Sequence, residues 1–370
     1  MYDLGEYFRP ELDKAIANPQ SIIKGNKYRI TILTESLIRF EYNNEGVFND
    51  MPTELVWYRN FPKPEFTLKE DKNYIEITTK YFKISYTKEE NFDSGKINPS
   101  KNLVVKLNDT DRFWYYNHPE VRNIGTPGHD INIKEISKAK KLSDIKLDKG
   151  LYSFDGFTSI DDSESMILGE DGVFKPNPNK GIDTYLFVYK DDFKVCLKDY
   201  FSITGYPSLI PRFALGNWWY KNDNYNDYTL NELIESFKTN KVPLSLILLN
   251  NSWHMLPVDK KKVITSGFTF NKELISNPKE LINGLHQKGI RVGLSIDPSE
   301  GIYKHEECYE EIKNFLEYKS DGIISIDPLN PKSLDALLKI PMAKLEELGV
   351  DFFWNDVRDT SNLHKLWLYN

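Results

Sequence analysis

The hydrophobic period of this chain changes near residue 205, and that change limits the folds open to it. Before it, apolar and polar residues alternate in short runs. Tyr28, Ile30 and Ile32 alternate with Arg29 and Thr31; Ile38, Phe40 and Tyr42 alternate with Arg39 and Glu41; Phe82, Ile84 and Tyr86 alternate with Lys83 and Ser85. A period of two, broken by Asn, Asp, Gly and Pro, predicts antiparallel strands with one apolar face and one wet face. Further runs near 64–69, 73–79, 102–108, 151–160 and 182–190 extend the pattern. So many short strands in succession predict an N-terminal antiparallel β-sandwich over residues 1–205.

Beyond Gly205-Tyr206-Pro207 and Ile210-Pro211 the period lengthens. Phe213 to Trp219 reads as a short apolar strand. Thr229, with Glu232 three residues later, reads as a capping box opening a helix that carries Leu230, Leu233, Ile234 and Phe237. Val242 to Leu249 is nearly continuous in apolar residues, as in a strand buried on both faces. Asn277, Pro278 and Glu280 open a second helix, which carries Leu281, Ile282 and Leu285 and stops at Gly289. Ile290 to Ile296 is the next strand. A helix follows near 305–317, then one or two between 332 and 348, interrupted at Pro341 and ended by Gly349. Val350 to Trp354 is the last strand. Strands alternating with helices predict parallel strands joined by helical crossovers, either an open sheet or the first half of a (β/α)8 TIM barrel over residues 206–370. Neither a Gly-x-Gly-x-x-Gly run nor a phosphate loop follows the first strand, which argues against a nucleotide-binding sheet.

Charge and composition narrow the partners. With 55 acidic against 48 basic residues the formal charge is -7, and no dense basic stripe offers a surface for nucleic acid or an anionic membrane. No run of about 18 apolar residues is present to span a bilayer, and Met1 to Glu6 lacks the basic flank and apolar stretch of a signal peptide. Cys196 and Cys308 are too few for a disulfide framework or a zinc cluster, so the expected setting is reduced and cytoplasmic. No metal-binding spacing and no Gly-x-Ser-x-Gly elbow occurs, and no cofactor is expected.

In parallel α/β folds the chemistry lies at the carboxyl ends of the strands. By that rule the candidates are Asn217, Trp218, Trp219, Asp223 and Tyr225 after the first strand, and Asn250 to His254 after the second. Asp297, Pro298 and Glu300 follow the third; Asn355, Asp356, Arg358 and Asp359 follow the fourth. Tryptophans and carboxylates converging on one face suit a carbohydrate, whose apolar ring faces stack on indoles while carboxylates bond hydroxyls or move protons. Each residue also has a plainer reading. Asp356 can cap the loop it opens, Trp218, Trp219 and Trp253 can be core, and His254 can be structural. Asp161 and Asp162 read as turn residues.

Three segments make the pattern specific. Pro211 to Trp219 resembles the barrel opening of glycoside hydrolase family 31, which includes α-glucosidases and α-xylosidases. Gly349-Val350-Asp351-Phe352-Phe353-Trp354-Asn355-Asp356 resembles its nucleophile strand, and Leu249 to His254 stands where the family has an Asp-x-Asp-Trp segment. Phe268 to Asn271 with Pro278 is similar to the family's approach to the second helix, and Asp155-Gly156-Phe157 and Asp161-Asp162-Ser163 are similar to its sandwich segments. The resemblance implies a β-sandwich followed by a barrel and a retaining α-glycosidase with Asp356 as nucleophile. It also implies sugar contacts from Trp218, Asn250, Trp253, His254, Asp297 and Trp354. Two departures stand out. Asn250 and Ser252 replace the acids of the family's second strand end, which opens the choice of sugar. The family's acid/base Asp lies beyond its fifth barrel strand, so the expectation is that this chain is the N-terminal portion of the enzyme and that the missing half of the barrel is its partner. The alternatives are a non-catalytic carbohydrate-binding relative and an open-sheet enzyme of another class.

Overall fold

The computed structural model describes residues 2, 4–5, 9–93, 102–127, 141, 147–255 and 267–356. The chain divides into two compact units: Pro10–Gly169 with Lys175–Tyr206, and Pro207–Asn370 with Met1–Arg9 and Glu170–Phe174.

The first unit holds two five-stranded antiparallel sheets. The strands of these two sheets are β1 (Ile22–Lys24), β2 (Tyr28–Ile32), β3 (Leu37–Tyr42), β4 (Thr67–Glu70), β5 (Tyr74–Thr78), β6 (Phe82–Thr87), β7 (Leu103–Leu107), β8 (Phe113–Trp114), β9 (Phe157–Asp161) and β10 (Ile182–Val188). One sheet runs β1-β2-β3-β10-β9; the other is the simple meander β4 to β8. Ile30, Phe40 and Leu186 of the first sheet share an apolar cluster with Ile77, Phe82, Val105 and Trp114 of the second. The expected run at 151–160 shortens to β9, because Gly156 adopts φ +76° and turns the chain just before it.

β5 and β6 alternate between buried and partly exposed residues, as period two requires. β2 and β3 depart from expectation: every residue is buried, on both faces. Their second face, continued by Tyr185 and Phe187 of β10, is covered by Val56 and by Cys196 and Ile203 of the helix Phe193–Thr204, which form a separate apolar cluster with Leu33 and Leu37. The polar residues of that face therefore pair with one another. Arg29 lies opposite Glu41 in the β2–β3 register and donates to it from Nε (2.5 Å) and Nη2 (2.7 Å). Arg39 donates to Asp183 of β10 from Nε (2.8 Å) and Nη2 (2.6 Å). A buried charge survives only when paired and hydrogen-bonded in this way.

The second unit is built on four parallel strands, β11 (Trp218–Tyr220), β12 (Leu246–Leu249), β13 (Arg291–Ile296) and β14 (Phe352–Asn355), adjacent in chain order. Helices Asp227–Thr239 and Pro278–Gln287 connect the first three. Ile247, Leu249, Val292, Leu294 and Ile296 pack against Leu230, Ile234, Ile282 and Leu285 of those helices. Asn277 caps the second helix through Oδ1, which accepts from Glu280 N, and Pro278 stands at its first turn.

Three local expectations are corrected. Arg212–Leu215 is a 3-10 turn after Pro211, so the first strand begins at Trp218 and Asn217 precedes it rather than following it. The capping box of the first helix is formed by Asn226 with Thr229, one turn earlier than Thr229 with Glu232. Pro341 does not interrupt its helix. Proline lacks an N–H and crowds the preceding turn, and here the turn widens to a π-helix over Leu338–Met342 between Pro331–Leu337 and Ala343–Glu347.

Candidate active-site edge of the parallel sheet

Alternation along a strand and register between strands together place side chains. Leu248 pairs with Gly293, and Gly293 with Phe352; Ser295 pairs with Trp354. Continuing these rows, Asn250 follows Leu248 on the same face, Asp297 follows Ser295, and Asp356 follows Trp354. The Asp356 amide donates to Ile296 O at 2.8 Å, which carries the ladder one residue beyond β14 and sets Asp356 beside Asp297. All these residues stand on the face away from the helices, and Asn250, Asp297 and Asp356 lie just past the carboxyl ends of their strands.

Gly293 is required for this arrangement. A Cβ there would lie 2.3 Å from the Phe352 ring, which occupies the space above it. The Phe352 ring centroid is 5.4 Å from that of Trp218, and Trp218 meets Trp354 edge-on at 6.2 Å. The Trp218 indole is oriented by Nε1 donating to Ala214 O (3.0 Å), while Trp354 remains about half exposed (48%). The two tryptophans thus form an open aromatic pair on the face that bears Asp356.

The other expected residues are placed differently. Trp253 is buried, with its ring 4.9 Å from Phe270, and Nε1 donates to Ser295 O at 3.0 Å. It ties the loop after β12 to β13. His254 is also buried. Its Nδ1 lies 2.9 Å from Met255 O, and its backbone bridges to Phe270. Asp297 is buried and caps the turn Pro298–Glu300, accepting from Ser299 N (3.1 Å) and Ser299 Oγ (2.5 Å). Asn250 is 5% exposed, and its Oδ1 has no hydrogen-bond partner among the described residues. An orphaned amide oxygen at this depth is costly unless something meets it. Arg358 and Asp359 lie outside the described residues.

Sequence reading missed Glu306. This buried carboxylate accepts from Phe268 N (3.1 Å) and lies 3.5 Å from His305, and its burial raises its pKa. A Cβ on Gly267 would lie 2.5 Å from His254 Nδ1 and 3.0 Å from Glu306 Oε1, so glycine lets the two side chains close around the backbone. In the sequence, Glu306-Glu307 ahead of the helix Tyr309–Phe315 looks only like acids at a helix start. Ser295 was missed because an isolated serine in an apolar strand carries no signal of its own. At the far end of the strands Asp351 accepts from Val292 N (2.8 Å) and Arg291 Nη1 (3.0 Å) and pairs with His286 (2.7 Å), which anchors the entry to β14. Among the described residues no group of three or more His, Cys, Asp or Glu is placed to hold a metal ion. None of the helices described is long and apolar enough to cross a membrane.

Residues 207–367 match the glycosyl hydrolases family 31 TIM-barrel domain. The chain is 26% identical over 182 residues to an alpha-xylosidase of Saccharolobus solfataricus, covering 49% of this chain and 23% of that protein. It is 26% identical over 192 residues to alpha-glucosidase 2 of Bacillus thermoamyloliquefaciens, again covering 49% and 23%. Among solved structures it is similar to a family 31 dextranase of Flavobacterium johnsoniae complexed with glucose (TM-score 0.58, 16% identity, 90% of this chain and 45% of that one). It is also similar to the family 31 alpha-xylosidase of Xanthomonas citri (TM-score 0.58, 12% identity, 95% and 59%). The match spans less than a quarter of each of these curated relatives, and the structural likeness speaks for the fold.

Proposed function

We propose, from the match of residues 207–367 to the glycosyl hydrolases family 31 TIM-barrel domain, that this chain is the N-terminal portion of a retaining α-glycosidase whose nucleophile is Asp356. Residues 1–205 are then a β-sandwich domain, and residues 206–370 are about the first four strands of the (β/α)8 barrel, completed by the other half of the barrel. The observation that carries the reading is the row structure of the parallel sheet. Asp356 follows β14 directly and lies beside Asp297, on the face that bears Trp218 and Trp354.

In this reading ionised Asp356 attacks the anomeric carbon, and the glycosidic C–O bond breaks. The leaving oxygen takes its proton from a second carboxyl, which in a retaining enzyme stands about 5–5.5 Å from the first. Water, deprotonated by that second group, then displaces Asp356 and restores the original anomeric configuration. Trp218 and Trp354 offer ring faces to the sugar. Asn250 brings a neutral amide to its hydroxyls, which leaves glucosides and xylosides both as substrates to test. Trp253, His254 and Asp297 act from beneath by fixing the loops that carry the contacts. No metal or cofactor enters this chemistry. Two buried thiols, Cys196 and Cys308, suit a reduced cytoplasmic setting.

The test uses the full gene product with 4-nitrophenyl α-xyloside and α-glucoside. Turnover is expected, with a loss on the order of 10⁴-fold in Asp356→Asn. Azide added to Asp356→Gly is expected to restore cleavage and give the β-glycosyl azide. Full turnover in Asp356→Asn would overturn the assignment. A second reading, a carbohydrate-binding relative without catalysis, is favoured if sugars bind and neither glycoside is cleaved.

A further inference from the structure

A cavity of about 620 Å³ in the two-sheet unit lies at the end of β3, between the segment Asn43–Asn49 and the segment Asn177–Ile182. Six asparagines line it: Asn43, Asn44, Asn49, Asn91, Asn177 and Asn179. Every one of their side-chain oxygens already accepts a hydrogen bond. Asn43 Oδ1 accepts from Glu45 N (2.7 Å), Asn44 Oδ1 from Tyr42 Oη (3.3 Å) and Asn49 Oδ1 from Met51 N (3.0 Å). Asn91 Oδ1 accepts from Asp93 N (2.9 Å), and Asn177 Oδ1 from Asn179 N (3.0 Å). Asn179 Oδ1 accepts from both Gly181 N (3.0 Å) and Asn43 Nδ2 (2.6 Å).

With one lone pair of each oxygen used, the hydrogen-bonding capacity these amides have to spare is mostly N–H. Some of it is used locally: Asn179 Nδ2 donates to Val47 O (3.2 Å), and Asn177 Nδ2 reaches Ser163 O at 3.5 Å. Asn49 Nδ2 is buried with no hydrogen-bond partner among the described residues. Asn49 is also held in place from below. Its backbone oxygen accepts from Arg39 Nη2 (2.8 Å) and Arg29 Nη2 (3.1 Å), the two guanidiniums of the buried ion-pair network. The backbone that carries this donor is thus tied to the buried ion-pair network.

We propose that this cavity is a second saccharide-binding site, separate from the parallel-sheet edge, that takes a neutral sugar by its ring and hydroxyl oxygens. Amide N–H groups suit oxygen acceptors. Glu45 and Lys180 are the charged residues of the lining, one of each sign, so the cavity has no formal charge with which to select an ion. An apolar ligand would leave the amide donors without partners. Sugar ring and hydroxyl oxygens accept from such amides. The volume falls within the ordinary range for small-ligand sites.

The experiment is a titration of the full chain with maltotriose and with xylotriose, followed by calorimetry and by protein NMR. Saturable binding of at least one is expected. Asn44→Asp and Asn49→Asp, which exchange donors for acceptors, are each expected to weaken it tenfold or more. Asn44 is exposed, so its variant keeps the test independent of folding, which circular dichroism checks for both. Asp356→Asn is expected to leave this binding unchanged. Absence of binding by either sugar, unchanged affinity in the folded Asn44→Asp variant, or loss of binding in Asp356→Asn would each overturn the proposal. Loss of hydrolysis alone bears on Asp356 and leaves this site untouched.

Discussion

Asp162 shows how far a single residue departs from its appearance in the sequence. In an Asp-Asp-Ser run it reads as a turn residue, yet it is fully buried and accepts from Thr53 Oγ1 at 2.9 Å. Burial, with the Asp183 carboxylate nearby, pushes its pKa up to about 6. A carboxyl whose folded pKa lies above its unfolded value binds more protons when folded. Its contribution to stability is therefore fullest below about pH 4 and declines as pH rises through 6. Asp162→Asn keeps an acceptor for Thr53 and abolishes the titration. Urea unfolding at pH 4.5 and 7.5 is expected to show the variant gaining on the parent at the higher pH, by on the order of 2 kcal/mol. An equal difference at both pH values would contradict this account. The same burial that hides Asp162 from sequence reading also hides Glu306. A carboxylate's environment is set by what packs over it, and alternation within its own segment carries no record of that.

At the scale of elements, the strands and helices with strong local signals are those the sequence shows plainly. Asn277 and Pro278 open a helix because a capping side chain and a fixed φ act within one turn. β5 and β6 alternate because each has one face in the apolar cluster and the other partly open. The first parallel strand was misplaced by an apolar run. Phe213, Ala214 and Leu215 look like a strand, but they lie between Pro211 and Gly216 and form a 3-10 turn. The pairing of β13 with β14 depends on a contact no local pattern announces, the Phe352 ring above Gly293. Gly293→Ala is expected to push that ring aside and destabilise the sheet by about 1–3 kcal/mol. The loss would be read as a lower urea midpoint and a changed near-ultraviolet circular dichroism signal from Trp218 and Trp354. An unchanged midpoint would show that Phe352 yields freely.

For the whole molecule, two units each carry a core of their own, and the face of the parallel sheet away from the helices remains partly open. Trp354 is 48% exposed and Tyr220 55%. An aromatic face of this kind predicts self-association of the 370-residue chain, checked by light scattering across a concentration series. A monodisperse monomer at every concentration would count against it. The change from period two to strand–helix alternation, most helix starts, and the order of the segments that resemble family 31 are legible in the amino-acid order, because these depend on neighbours within a few residues. Long-range packing makes the polar face of β2 and β3 a buried ion-pair network, buries Trp253 and His254 at the sheet edge, and brings six asparagines from distant segments to one cavity. Those outcomes depend on which surfaces meet across long stretches of chain, and a residue's hydrophobicity does not specify the surface that will cover it.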